Sequence, residues 1–308
     1  MVAILEVMER TKFKRERTPD TILCSDMHLR EDIPKCWTGD FQKEQWTDVN
    51  FISDLQIKYD CPVIHAGDLF HHWKPSPWLL SMAVLYLPAK FYTIYGQHDL
   101  PQHNFELRNK SGIYTLEKAG ALKVLNYGHY GSKNLMEGVQ DGWAISSQDG
   151  WSRLMYVWHH MTYISKPFPG ATGGMAEGIL RKYPQYDLIV TGDNHQSFTV
   201  EYEGRRLVNP GNLTRQTADQ ADYKPRVALW YAEDNTIEWV YLPIQEGVIS
   251  REHIEVKEQR DKRIEAFVSQ LNNEWEIGLS FEKNLEKFKE VNKVDNDTMN
   301  IIYKAIEV

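Results

Sequence analysis

The stretch His65-Ala66-Gly67-Asp68-Leu69-Phe70-His71-His72 decides how the rest of the chain is read. Pro62 to Ala66 is an apolar run, which predicts a buried strand that ends at Gly67-Asp68. A carboxylate at the carboxyl end of a strand, with histidine three residues on, is suited to chemistry, because open α/β sheets bind ligands there. Gly-Asp alone is an ordinary turn. It gains meaning because other predicted strands also end in Asp, His or an amide.

Thr21 to Ser25 runs into Asp26-Met27-His28, and alternation puts Asp26 and His28 on one side of an extended backbone. Phe41 to Tyr59 is a helix whose Trp46, Val49, Ile52, Leu55 and Tyr59 share a face suited to core packing. Lys74-Pro75-Ser76-Pro77 breaks the chain before a helix over Trp78–Leu87. A third strand, Lys90 to Tyr95, ends in Gly96-Gln97-His98-Asp99. Strand, helix and polar terminus in repetition predict a parallel sheet covered by helices.

Asn104 to Ala119 reads as a further helix and Ala121 to Leu125 as a short strand. The turn signals Asp141-Gly142 and Asp149-Gly150 surround the β-like Trp143–Ser146, where antiparallel pairing is expected. Arg153 to Trp158 is a strand ending in His159-His160, and only one of these adjacent histidines can face a common site. A glycine-rich loop, 169–174, and a helix over Met175–Lys182 precede the strand Asp187–Thr191, which ends in Gly192-Asp193-Asn194-His195. Hairpins follow around Glu203-Gly204 and Glu233-Asp234-Asn235. After Gly247 the composition becomes charged and helical. Its apolar stripes are Ile264, Phe267, Val268, Leu271 and Trp275; Phe281, Leu285 and Phe288; and Met299, Ile302, Tyr303 and Ile306.

Composition narrows the function. The 308 residues are 42% hydrophobic and 25% charged, as in an ordinary globular protein, and hold no apolar run of membrane-spanning length. Met1 to Met8 is too short for a signal peptide and contains Glu6. Three cysteines, Cys24, Cys36 and Cys61, argue against a disulfide framework and for a reducing, cytoplasmic setting. No C-x2-C zinc spacing occurs. The net charge of -8 means bulk electrostatics do not draw the chain to nucleic acid, so DNA binding needs a local basic surface or bound metal ions. The mixed carboxylate, imidazole and amide groups at the strand ends suit Mn²⁺, Fe²⁺ or Zn²⁺. A pair of such ions roughly 3.5–4 Å apart can clamp both oxygens of a phosphate ester under hydrolysis.

Asp26-Met27-His28, Gly67-Asp68, Gly96-Gln97-His98-Asp99, His159 and Gly192-Asp193-Asn194-His195 resemble the motifs of calcineurin-like metallophosphoesterases. Gly67-Asp68-Leu69-Phe70-His71 followed by Lys74–Pro77 is similar to the Mre11/SbcD DNA nucleases. Asn209-Pro210-Gly211-Asn212-Leu213 is similar to a turn of theirs. The resemblance covers roughly residues 20–244. It implies an α/β fold, a four-layer α/β/β/α sandwich, with residues 1–19 as an N-terminal extension and 245–308 as a helical C-terminal appendage. It also implies a two-metal-activated hydroxide and a DNA exo/endonuclease activity. Phosphoesterase action on a nucleotide or other small phosphate ester is the alternative, and a non-catalytic metal-binding scaffold in a DNA-processing complex is another.

Carried over, Asp26, His28, Asp68 and His195 hold one divalent ion, and Asp68, Gln97, His159 and Asp193 the second, with Asp68 bridging. His98 protonates the leaving oxygen or stabilises charge on the phosphate, Asp99 orients its ring, and His71 touches the scissile phosphate or helps place the nucleic acid backbone. Arg30 and Asn212 are the expected substrate-binding residues. Arg215, like Lys74, Lys166 and Lys224, reads first as a solvated surface charge. The family carries asparagine at Gln97 and histidine at Asp193. Both departures fall on the second site and make it harder and more anionic, so Mn²⁺ is expected, with Mg²⁺, Fe²⁺ and Zn²⁺ as alternatives. The resemblance implies DNA and an SbcC/Rad50-like coiled-coil ATPase as partners, with a homodimer as a further association and no membrane. The C-terminal stripes are read as a reduced cap, a partner-binding module, or packing on the core.

Overall fold

Residues 22–24 bury every side chain, yet on two different sides. Ile22 and Cys24 enter one apolar cluster and Leu23 another. This period of two is the signature of a strand covered on both faces. The computed structural model describes residues 17–125, 143–146, 152–166, 172–274 and 281–306. Most of the N-terminal extension, the Asp141-Gly142 and Asp149-Gly150 turns and residues 169–171 of the glycine-rich loop lie outside them. The chain divides into two compact units, Met1–Ile249 and Ser250–Val308.

In the first unit, β1 (Thr21–Cys24), β2 (Val63–His65), β3 (Phe91–Thr93) and β4 (Lys123–Val124) pair in parallel. The hairpin β12 (Arg226–Tyr231) and β13 (Thr236–Tyr241) joins antiparallel to β1, giving a six-stranded sheet of order β13-β12-β1-β2-β3-β4. The second sheet has the order β10-β11-β9-β6-β5. Its strands are β5 (Trp143–Ser146), β6 (Ser152–His159), β9 (Leu188–Gly192), β10 (Phe198–Tyr202) and β11 (Arg205–Asn209). The expected antiparallel change occurs between β5 and β6, while β6, β9 and β11 run parallel. A small parallel pair, β7 (Thr162–Tyr163) and β8 (Gly174–Met175), was not foreseen.

Leu23, Ile64, Ile94, Met155, Val157, Val190, Val208 and Trp230 form the core between the two sheets. On the outer face of the first sheet, Val63, Phe91 and Leu229 pack with α1 (Phe41–Tyr59), α2 (Pro77–Tyr86) and α3 (Gly112–Lys118). On the outer face of the second, Tyr156, Trp158 and Ile189 pack with α4 (Ala176–Lys182). The architecture is therefore the four-layer α/β/β/α sandwich.

Local chemistry sets the element ends. Asp40 caps α1 by accepting from the Lys43 amide at 3.0 Å, and Ser76 caps α2 by accepting from Leu79 at 3.1 Å. The single helix expected over Asn104–Ala119 is instead a 3-10 segment, Phe105–Lys110, followed by α3. The break is at Ser111, which adopts an extended backbone and caps Tyr114.

In the second unit, α5 (Glu252–Glu274), α6 (Phe281–Asn292) and α7 (Asn296–Ile306) follow in order. Leu285, Phe288 and Met299 are buried, whereas Val256, Ile264, Ile301 and Tyr303 are exposed. No described helix is long and apolar enough to cross a membrane.

Asn235 links the two sheets. Its Oδ1 accepts from Trp230 Nε1 at 2.9 Å, and its Nδ2 donates to the carbonyls of Asp187 (2.9 Å) and Gly204 (2.8 Å). Its φ of 52° lies in the left-handed region, which asparagine tolerates better than most residues. Asn235→Ala is expected to lower unfolding free energy by about 2–4 kcal/mol, since it strands the buried Trp230 Nε1, removes two bonds to carbonyls and leaves alanine in the left-handed region. Urea denaturation checks this, and a loss under about 0.5 kcal/mol would contradict the linking role.

Candidate metal centre

The ends of β1, β2, β3, β6 and β9 meet at one edge of the two sheets. Asp26, His28, Asp68 and His159 are all buried there, and His195 is half-buried. Two groupings have ligand atoms within 4.8 Å of one another: Asp26, His28 and His195, and Asp26, Asp68 and His159. His28 Nε2 is 3.8 Å from Asp68 Oδ2 and 3.9 Å from Asp26 Oδ1, so both carboxylates lie between the histidines. His28 and His195 bring their Nε2 atoms to 3.3 Å.

Backbone geometry aims these groups. Asp26 (φ 48°), His28 (45°), Asp68 (58°) and Asp193 (75°) are all left-handed, a strained state for non-glycine residues that the surroundings must hold. Asp68 Oδ1 accepts from the His98 amide at 2.8 Å, and Asp26 from the Asp193 amide at 3.1 Å. Gly96 must be glycine, because a Cβ there would overlap the Asp68 carboxylate. Gly192 is equally tight, since its Cβ would sit 2.6 Å from His159 Nδ1.

The strand sends the adjacent histidines to opposite sides. His159 enters the cluster, while His160 turns away and stacks on Trp158, with ring centroids 3.9 Å apart. His159 Nδ1 donates to the Ala66 carbonyl at 2.7 Å, which leaves Nε2 facing the carboxylates. That buried Nε2 lies 3.3 Å from Asp68 Oδ2 yet makes no hydrogen bond of good geometry.

The electrostatics fit a cation. Burial raises the Asp26 carboxyl to about 7, with His159 opposing and Asp68 adding to the rise. Burial opposes charge on Asp68 and His159 too, but each holds the other ionised. Asp68 stays below the usual carboxylate range and His159 rises well above 6.5. Burial keeps His28 and His195 neutral, as ligands must be. Gln97 Oε1 is buried without a partner, a further oxygen available to an ion. These donors suit divalent metal ions. Asp193, expected as a ligand beside Gln97, accepts from Gln97 Nε2 at 2.5 Å and lies in neither grouping.

The expected helpers are arranged differently from the reading above. The His98 ring is oriented by the His71 carbonyl, 2.9 Å from its Nδ1, rather than by Asp99. Asp99 is buried and accepts from the amides of Leu69, Phe70 and Gly96, which ties the β2 and β3 ends together. Burial, with Asp68 adding, raises its carboxyl to about 7. His71 and His98 stack at 5.6 Å, and with His28 their ligand atoms form a third grouping. Burial and then Arg30 lower His71 to about 4. The Arg30 guanidinium is engaged by Asp32 and Gln216. Asn212, expected to bind substrate, is buried, with Nδ2 on the Thr214 carbonyl and its amide 3.3 Å from the His195 carbonyl. It supports the His195 loop from behind. Asn209 does the same, its Nδ2 donating to the carbonyls of Asn194 and Gln196. The sequence reading missed that role, although a polar residue ending an apolar strand was a usable signal.

Residues 20–295 match the family model described as calcineurin-like phosphoesterase. No curated protein matches. Among solved structures, the chain is similar to an archaeal phosphodiesterase at 15% identity and a TM-score of 0.40, covering 72% of this chain and 99% of that one. It is similar to a single mutant of Vps29 from Entamoeba histolytica at 12% identity and 0.33, covering 72% and 99%. Vacuolar protein sorting 29 from Cryptosporidium parvum matches at 14% and 0.33, covering 73% and 97%.

The titrating groups give a pH prediction for the metal-free protein. Asp26 and Asp99 have folded values above the ordinary 3.8, so their stabilisation is complete below about 4 and lost as pH rises through about 7. His159 contributes fully below 6.5 and loses its contribution as pH climbs toward its raised value. Asp68 acts oppositely, but only as pH falls below 3.8. A divalent ion replaces the protons on Asp26 and His159, so its affinity should rise between about pH 6 and pH 8 with proton release. Calorimetry in two buffers of different ionisation enthalpy reads both, and equal affinity without proton release would refute the assignment.

Proposed function

The chain belongs to the calcineurin-like phosphoesterase family, and from that premise we propose a metal-dependent phosphodiesterase, a DNA exo/endonuclease subunit of SbcD/Mre11 type. The observation that carries the phosphodiesterase reading is His98, held by the His71 carbonyl beside the two metal-suited groupings. The nuclease refinement is supported by the sequence of Gly67–His71, Lys74–Pro77 and Asn209–Leu213. The net charge of -8 favours the second reading, a phosphoesterase for nucleotides or other small esters.

Asp26, His28, Asp68 and His195 would hold one divalent ion, and Asp26, Asp68 and His159, with Gln97 and Asp193 nearby, the other, Mn²⁺ being our reading. Bound ions supply positive charge to phosphate oxygens and acidify water. The chain's own residues do the remainder. His98, anchored through Nδ1, presents Nε2 as the proton donor to the leaving oxygen. His71 stacks against it at the same edge, and Arg30 adds positive charge beside His71. Asp99 keeps the loops bearing Asp68 and His98 in register through three backbone amides.

His98→Ala should keep both ions while turnover of a chromogenic phosphodiester falls about 10²–10⁴-fold. Metal analysis and steady-state assays test this together. Loss of metal, or near-normal turnover, would sink the assignment. Manganese-dependent cleavage of duplex and single-stranded DNA separates the nuclease from the small-ester enzyme. Metal binding with no hydrolysis of any phosphate ester would leave the scaffold.

For the second unit we propose docking to a coiled-coil ATPase of SbcC/Rad50 type, or to a second copy of this chain. The support is the exposed apolar residues Val256 and Ile264 of α5 and Ile301 and Tyr303 of α7. Removing residues 250–308 should leave melting temperature and small-diester turnover unchanged while association is lost. An unfolded or inactive truncation would instead make these helices part of the core.

A further inference from the structure

Arg215, which the sequence suggests is a solvated surface charge, is 2% exposed. Its Nη2 donates to the Gln245 carbonyl at 2.5 Å and lies 3.4 Å from Glu44 Oε1, and its guanidinium sits 5.5 Å over the Trp37 ring. Glu44 is 4% exposed and also accepts from the Gln245 amide at 3.2 Å. Asp48, one turn along α1, is buried as well, and burial together with Glu44 pushes its carboxyl well above the usual range. Glu44 and Arg215 form a buried salt bridge. A buried pair of this kind is costly to assemble and is weak evidence for stability alone, so a positional role is worth seeking.

That role is visible in the segment Arg215 anchors. The Leu213 amide donates to the Asp26 carbonyl and the Asn212 amide to the His195 carbonyl, both at 3.3 Å. Gln216 Nε2 donates to the His28 carbonyl at 3.2 Å, and Ser25 Oγ donates to the Gly211 carbonyl at 3.0 Å. Residues 211–216 therefore hold the backbone of Asp26, His28 and His195, one whole ligand grouping. Two of these, Asp26 and His28, carry the strained left-handed φ that needs such restraint. The side chains of Asp68 and His159 are instead fixed by the His98 amide and the Ala66 carbonyl, and their grouping shares only Asp26 with the first.

We propose that Arg215 is a positioning residue for the Asp26–His28–His195 ion. It clamps residues 211–216 against Glu44 of α1 and against Gln245, at the end of the first unit's chain. This rests on the metal-dependent reading above and names the part of the chain that fixes one of its two sites.

The experiment compares full-length wild type, Arg215→Met, Arg215→Lys and the double variant Glu44→Gln/Arg215→Met by Mn²⁺ titration and thermal melting of the metal-free proteins. Arg215→Met leaves Glu44 buried and unpaired, so its melting temperature falls. The double variant removes both charges and recovers melting temperature. The expected result is that affinity at one of two sites falls about 10–100-fold in Arg215→Met and stays low in the double variant. The other site, which shares only Asp26 with this grouping, falls several-fold less, and Arg215→Lys lies between. Affinity that recovers with melting temperature in the double variant, falls equally at both sites, or never falls overturns the proposal. Because metal binding is the readout, a wild type that binds two ions but hydrolyses no ester refutes the proposed function and leaves this inference standing.

Discussion

The constraint on which this structure depends is the burial of Asp26 and Asp68 beside one imidazole. With His159 Nδ1 committed to the Ala66 carbonyl, Nε2 must face the carboxylates. Carboxylates taken out of water are costly unless a positive charge accompanies them. A proton on His159 can supply that charge, and so can a divalent ion, which satisfies more lone pairs at once. The fold keeps this arrangement because the ligands rise from strands buried on both faces, where the backbone cannot yield to repulsion.

Holding the ligands there needs a strained backbone. Asp26, His28, Asp68 and Asp193 share left-handed φ, so each strand turns sharply as it leaves the sheet. Such conformations cost about 1–3 kcal/mol each and persist only when neighbours fix them. The neighbours are polar and buried: Asp99 on three amides, Asn209 on the loop before β10, and the 211–216 segment behind Asp26 and His195. Much of the polar burial in the first unit is therefore spent on aiming ligands, with the apolar layers supplying the stability.

What could be read in the sequence follows the same division. The helix over Phe41–Tyr59 matched its expected bounds, because period and caps are local properties. The convergence of Asp26, His28, Asp68, His159 and His195 was legible because strand ends recur in a βαβ pattern. Roles that depend on what packs behind a loop were not. Arg215 reads as a solvated surface charge and Asn212 as a substrate contact, yet both are buried supports. Asp99 follows His98 directly, but the turn sends its carboxylate to three amides instead of the neighbouring ring. Ser111 divided an apparently continuous helix by capping the next one, a competition between side chain and backbone that periodicity does not register.

Gln97 and Asp193, both expected at the second ion, are intelligible as a pair. Taken singly, a longer amide at Gln97 displaces its oxygen, and aspartate at 193 adds charge to an already anionic cavity. Together, Gln97 Nε2 donates to Asp193 Oδ1 at 2.5 Å, so the extra methylene spans to the extra carboxylate. The amide then faces its Oε1 away from that bond, buried and unpartnered. The glutamine is thereby fixed in the orientation an oxygen donor needs, and the aspartate's added charge is partly satisfied by a hydrogen bond. A change at only one of these positions would leave either a free amide or an uncompensated carboxylate, so the two side chains act as one unit.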